Sequence, residues 1–215
     1  MPGPEAHVSR ETSMDDTDAF VARAAELGVA LDPLRADRLI EFEHLLIERG
    51  IPEGLVARSD APRIRDRHLL DCLRAAPIPF PGERCYDLGS GAGLPGVVVA
   101  LARPDLQVTL VERRSHRAAF LELALEVLQP ENAAVFASAL EDIAEPVDVC
   151  FARALGPLGR AWTSASRLLL PHGRLVYFAG REPDAAEVPP DAVLQDVLTT
   201  SVLESAGPLV IMTRQ

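Results

Sequence analysis

The segment Asp87-Leu88-Gly89-Ser90-Gly91-Ala92-Gly93-Leu94-Pro95-Gly96 constrains this chain more than any other. Four glycines fall within eight residues, behind the short apolar run Arg84 to Leu88 and ahead of the helical run Pro95 to Leu101. A glycine-rich turn that leaves a strand and opens a helix is the context a nucleotide-type loop requires. Glycine takes positive φ at little steric cost and lets a ligand come close to the backbone. Pro95 suits the first turn of the following helix, where its missing N–H costs nothing.

Around this loop, short apolar runs alternate with helical ones. Strands are predicted at Arg84 to Leu88, Gln107 to Val111, Ala133 to Ala137, Asp148 to Phe151 and Gly173 to Phe178. Helices are predicted at Pro95 to Leu101, Arg114 to Leu128 and Leu158 to Leu169. Such alternation means an α/β fold, a Rossmann-like doubly wound parallel sheet. Two late runs, Val193 to Thr199 and Pro208 to Met212, have no long helix between them and predict an antiparallel edge hairpin. The chain ahead of the loop reads differently. Residues 1–16 are polar and are expected to form a disordered tail. Residues 17–76 carry three helical stretches, a helical N-terminal extension, and 77–82 form a stiff proline-rich linker. The domain that holds the loop is expected to span 83–215.

Composition narrows the chemistry. All 21 cationic side chains are Arg. The absence of Lys excludes a Schiff-base lysine, a phosphate-loop lysine and a kinase lysine. Three cysteines without C-x-x-C spacing, and no secretion signal, read as free thiols in the cytoplasm. The five histidines form no metal-binding pattern, so no metal is expected. No run approaches the ~18 apolar residues of a membrane helix. A net charge of −11 argues against free-standing nucleic-acid binding, yet it averages over two local basic clusters. One is Arg63, Arg65, Arg67 and His68; the other is Arg113, Arg114, His116 and Arg117.

Two ligands compete for the loop. Gly91-x-Gly93-x-x-Gly96 matches a dinucleotide fingerprint, but Asp87 favours the loop of class I S-adenosylmethionine-dependent methyltransferases. A carboxylate at the end of that strand can reach the ammonium of the cofactor's methionine, whereas a pyrophosphate would be repelled by it. Glu112, at the end of the next strand, suits ribose hydroxyls, or else starts the following helix. Ser138-Ala139-Leu140-Glu141-Asp142, after the third strand, suits adenine. Arg153 ends a strand where open sheets bind ligands, as a cofactor contact or as the partner of Glu141 or Asp87.

Beyond the loop, the chain carries Asp66-Arg67-His68-Leu69-Leu70-Asp71, Arg103-Pro104-Asp105 and Phe151-Ala152-Arg153-Ala154. With the Gly-Leu-Pro-Gly ending of the loop, these resemble the RsmG (GidB) family, guanine-N7 methyltransferases of small-subunit ribosomal RNA. The resemblance covers roughly residues 35 to 180. It implies a class I fold with a helical N-terminal extension and S-adenosylmethionine contacts at Gly89, Leu94, Leu140-Glu141 and Arg153. Asp87, Gly91, Gly93 and Glu112 join that expected cofactor set. It also implies 16S rRNA or the small ribosomal subunit as partner; Arg65, Arg67 and His68, from the first basic cluster, and Arg181 are the candidate RNA contacts.

Three departures stand out. Gly54-Leu55-Val56-Ala57-Arg58 fills the place of an Asn-Leu-Thr element, Ala139 the place of an Arg, and Ala179-Gly180 the place of Lys-Gly, with Arg181 next door. Guanine N7 offers a lone pair without deprotonation, so no general base is needed and the chemistry is one of positioning. Arg153 is the expected catalytic positioning residue. A monomer acting on 16S rRNA is the leading expectation. A relative acting on a small molecule, or a non-catalytic cofactor-binding module, remains open at this point.

Overall fold

The computed structural model describes residues 14–214. Residues 1–13 of the expected tail lie outside the described residues, and Met14, Asp15 and Asp16 form the first turn of a helix. That helix, α1, spans Met14–Glu26 and buries Thr17, Phe20 and Ala24. Its first turn carries two carboxylates, which the positive helix end favours.

Helix α2, Pro33–Leu45, starts where the Asp32 carboxylate accepts the Arg35 N–H at 2.9 Å, with Pro33 in the first turn. It runs on into a π-helical turn, Leu46–Gly50. The third helical stretch is irregular. A 3-10 turn, Arg58–Arg63, leads through a π-helical turn, Arg65–Leu70, into α3, Asp71–Leu73. The Asp71 N–H bonds to the His68 carbonyl, and the Arg67 carbonyl accepts from Arg153 instead. A tertiary contact thus accompanies the distortion of the helix that periodicity predicts as regular.

Seven strands follow: β1 (Arg84–Leu88), β2 (Gln107–Val111), β3 (Ala133–Phe136), β4 (Val147–Arg153), β5 (Leu169–Phe178), β6 (Ala192–Leu198) and β7 (Leu209–Arg214). Helices α4 (Gly96–Ala102), α5 (Ser115–Leu128) and α6 (Leu158–Ser166) connect the parallel ones. The strand order is β3-β2-β1-β4-β5-β7-β6. Strands β1 to β5 run parallel, and β7 lies antiparallel between β5 and β6. The winding therefore reverses between β1 and β4, and a crevice opens there outside the strands' carboxyl ends.

Each sheet face has its own core. One buries Phe20, Phe42, Leu46, Leu69 and Leu73 of the helical extension against α4, α5, Val149 and Phe151. The other buries Trp162, Leu158 and Ala165 of α6 against Leu88, Cys150 and Ala152. The residues of β4 alternate between these cores, as side chains on a strand must. Arg153 shares the parity of Val149 and Phe151, so it leaves the sheet on the side of the helical extension. The three thiols are buried and their pKa values pushed up by that burial, Cys72 and Cys85 to about 12. Inert thiols follow.

Candidate active site

Register places the site. Leu88 pairs with Val111, so the chain leaves β1 beside the end of β2. The Gly89 and Ser90 N–H groups both donate to the Val111 carbonyl, at 2.9 and 3.0 Å, and fold the loop back over the sheet. Gly89, Gly91 and Gly93 all have positive φ. At Gly93 an added Cβ would stand 2.6 Å from Val97 and 3.2 Å from Phe42 of the extension. At Gly91 it would meet the Arg117 guanidinium at 3.6 Å, beside open space. Gly93 is thus held by packing, while Gly91 borders a cavity.

That cavity, of about 280 Å³, lies at the carboxyl ends of β1 and β4. Gly89, Gly91 and Leu94 of the loop, Val56 of the extension, His68, Arg117 and Arg153 line it among others. A second cavity, of about 210 Å³, lies between α2 and α4 near Arg35, Arg38 and Asn132, away from the strand ends.

Asp87 is 1% exposed and does not line the cavity. Its carboxylate accepts the Gly96 N–H at 3.0 Å and ties the loop to the start of α4. Burial pushes its pKa to about 7, against the pull of that hydrogen bond and of the Arg153 charge. Glu112, also buried, accepts the Gly91 N–H at 3.1 Å and the Arg114 N–H at 2.9 Å. It therefore supports the glycine loop and starts α5 at once. Arg117 stands 4.0 Å from Glu112, and its Nε, though buried, has no hydrogen-bond partner. Leu140 and Glu141 lie in a 3-10 turn after β3, with Glu141 exposed.

Arg153 reaches the cavity from the end of β4 and is held by the extension. One η nitrogen lies 3.0 Å from His68 Nδ1; the other donates to the Arg67 carbonyl at 2.9 Å and meets Asp71 at 3.3 Å. Its ion-pair partner is therefore Asp71, not Glu141 or Asp87. Burial raises the Asp71 pKa despite the charges of Arg153 and Arg74. His68 Nε2 lies 3.1 Å from Asp60. Sequence reasoning gave no role to Asp60, which no motif sets apart, or to Asp71, which closes the Asp66 to Asp71 motif; only the fold brings them to His68 and Arg153.

The candidate RNA contacts divide. Arg65 turns inwards, donating to Glu43 at 2.7 Å and to Asp16 at 2.5 and 3.0 Å, over the Phe20 ring. Arg67 is half-buried beside Asp60. Arg181 is exposed and forks onto Glu187 at 2.7 and 2.9 Å. Arg113, Arg114 and His116 are exposed where α5 begins, next to the cavity wall at Arg117.

The residues present fit a nucleoside-sized ligand. The loop leaves space where a Cβ at Gly91 would stand, a buried carboxylate closes the end of β2, and a buried Arg117 Nε–H lacks an acceptor. Residues 35–202 match the family described as rRNA small subunit methyltransferase G, GidB. The chain belongs to this family. Family members include the ribosomal RNA small subunit methyltransferase G of Salinispora tropica, 44% identical over 168 residues, covering 72% of this chain and 69% of that one. The Salinispora arenicola relative is 40% identical over 183 residues, covering 79% and 75%.

The fold is wider than the family. A putative O-methyltransferase from Klebsiella pneumoniae superposes with a TM-score of 0.58 at 16% identity, over 92% of this chain and 96% of that one. MtNAS, solved in complex with MTA and tNA, does so with a TM-score of 0.55 at 19% identity, over 93% and 75%. The sheet is that of the class I methyltransferases, with an antiparallel pair at one edge and helices ahead of it.

Proposed function

We propose that this protein transfers the methyl group of S-adenosylmethionine to N7 of a guanine in 16S ribosomal RNA. The observation that carries the reading is the convergence of family and geometry. The family match spans the glycine loop, Glu112, the Arg67-His68 helix and Arg153, and these meet at one cavity or its supports.

The residues that would hold the cofactor are Gly89, Gly91 and Leu94 of the loop, Glu112 and the Leu140-Glu141 turn, with Asp87 anchoring the loop from below and Gly93 packing it onto Val97 and Phe42. When bound, S-adenosylmethionine supplies an electrophilic methyl group on a sulfonium. The chain's own work is positional. Guanine presents O6 and N7 as neighbouring acceptors. A donor from Arg153 on O6 holds the base and leaves the N7 lone pair free. No proton has to be taken from N7, and His68, whose pKa is lowered by burial and by the Arg153 charge, is committed to Arg153 and Asp60. Orientation of two reactants in this way supplies several kcal/mol of barrier lowering.

The RNA arrives against a net charge of −11, so the arginines at the start of α5, Arg113 and Arg114, take the phosphate contacts, with the exposed His116 beside them. They make up for the missing cations at Ala139 and Ala179, which Arg181, bound to Glu187, does not replace. Such a substrate sets the protein to work in the cytoplasm, and transfer to a free N7 lone pair calls for no metal.

Calorimetry and methyl transfer to small subunits test this together. The protein is expected to bind S-adenosylmethionine and not NAD, and Arg153→Ala to lose at least ~10-fold in turnover, ~1.4 kcal/mol. Binding of NAD alone, or an unchanged rate in the variant, would overturn it.

A further inference from the structure

The ring of His68 lies between two charged partners, and the chemistry of those partners fixes its state. A guanidinium donates and never accepts. The nitrogen facing Arg153 at 3.0 Å, Nδ1, is therefore the acceptor, and the ring proton sits on Nε2, donated to the Asp60 carboxylate at 3.1 Å. Asp60 is itself only 8% exposed, with Arg63 at 3.2 Å and Arg67 at 3.4 Å. Burial raises its pKa, but the His68 hydrogen bond and the charges of Arg67 and Arg63 outweigh this and hold it below the usual carboxylate value. The far end of the chain is Arg153, whose hydrogen bonds go to His68, the Arg67 carbonyl and Asp71, all in the extension. From the sheet side, the Phe178 ring lies 5.8 Å from the guanidinium.

We propose that Asp60 is a positioning residue for the methyl transfer: it holds His68 in the one tautomer that accepts from Arg153, so the helical extension sets where the Arg153 guanidinium stands in the cavity. This rests on the function read above and adds to it a residue of the same cavity wall that acts on Arg153 through His68. It also makes the site sensitive to acid. A proton on Nδ1 turns the acceptor into a cation facing a guanidinium, and Arg153 loses one of its anchors. The groups facing the ring are Asp60 and Arg63 from the 3-10 turn, Arg67 and Asp71 from its own helix, and Arg153 from β4. Burial and the Arg153 charge lower the pKa of His68 from 6.5, with Asp60 pulling the other way. The neutral ring therefore prevails at neutral pH, and turnover falls as the pH drops through a value below 6.5.

Two measurements on the full chain test this. Nitrogen-15 imidazole spectra, with the His68 signal assigned by its loss in His68→Asn, read the tautomer without any substrate. Wild type is expected to show Nε2–H near neutral pH, and Asp60→Ala, left with Arg153 alone on Nδ1, to show a weaker preference. Methyl transfer to small subunits is the second. Asp60→Ala is expected to lose about tenfold or more in kcat, the scale of a misplaced reacting group, with the KM for S-adenosylmethionine little changed. His68→Asn offers an amide oxygen near the place of Nδ1 and does not titrate; its turnover is expected to fall, and what remains to lack the acidic limb of the pH profile. If Asp60→Ala does not fold, Asp60→Asn, which keeps an acceptor oxygen, is expected to preserve both tautomer and rate. An Nδ1–H tautomer in wild type, or an unchanged kcat in a folded Asp60→Ala, overturns the proposal. A wild type that makes no 7-methylguanosine overturns the function instead, and the imidazole spectrum still decides the chain from Asp60 to Arg153.

Discussion

Glycines of the same loop do different work, and substitution separates them. Gly91 borders the cavity, and an added Cβ there meets only Arg117 and the Gly89 carbonyl, at 3.6 and 3.7 Å. Its φ of +58 makes alanine cost about 1–2 kcal/mol in backbone preference, with no clash. Gly96 is enclosed: a Cβ would stand 2.3 Å from Leu110 and 2.6 Å from the Asp87 carboxylate. Overpacking of that kind costs about 1–3 kcal/mol or more. Gly91→Ala is thus expected to lose S-adenosylmethionine affinity in calorimetry while melting only about 2–8 °C lower, and Gly96→Ala, clashing in the core, to lose more thermal stability. Asp87 makes a prediction about pH. Its folded-state pKa, about 7, lies above the ordinary 3.8. The native chain keeps a proton that the unfolded chain has given up, so this contribution is full below pH 3.8 and is lost as the pH rises toward 7. A shift of that size corresponds to an upper figure on the order of 4 kcal/mol. Melting curves of Asp87→Asn should lack the decline that wild type shows across this window; parallel curves would mean that the carboxylate is ionised throughout.

Elements, more than single side chains, decide which arginines meet RNA. Sequence spacing groups Arg63, Arg65 and Arg67, but the helix carrying them packs against α1 and α2, and Arg65 ends up between Asp16 and Glu43. Arg65→Ala is expected to lower stability by about 1–2 kcal/mol, since hydrogen bonds to charged groups are lost, and to leave the salt dependence of RNA binding unchanged. Reversing Arg113 and Arg114, at the exposed start of α5, is expected to flatten the log–log salt slope by about 1–2 units, from roughly 0.7–0.9 per phosphate contact. An unchanged slope would make these arginines ordinary solvated side chains. The same contrast shows what the sequence made legible. Strands β1 and β2 follow directly from apolar runs bounded by turn residues, and the loop between strand and helix follows from its glycines. The irregular helix from Arg58 to Leu73 does not, because its π-helical turn goes with a bond to Arg153, 86 residues further on. The role of Asp60 was illegible for the same reason, and Asp71 was visible as a motif residue but not as the partner of Arg153: burial beside His68 and Arg153 is a property of the folded chain.

Extension and sheet share one core, with Phe42 of α2 packed against the glycine loop and Phe20, Leu46 and Leu69 in the same cluster as Val149 and Phe151. On the proposed function the helices ahead of the sheet would belong to the catalytic apparatus: they support the loop that would cradle the cofactor and hold the arginine that would hold the base. Charge acts over a longer range. At −11 the molecule repels a polyanion, and only the local cations around the cavity oppose this, so naked RNA should bind weakly and an assembled particle, which offers shape as well as phosphate, should bind better. The central claim is the transfer of a methyl group to guanine N7 in 16S rRNA. Its direct test is mass-spectrometric counting of 7-methylguanosine in 16S rRNA from cells with and without this protein. The account predicts one 7-methylguanosine fewer per 16S molecule in its absence, restored by the wild-type chain and not by Gly91→Ala; an identical count in both strains would contradict it.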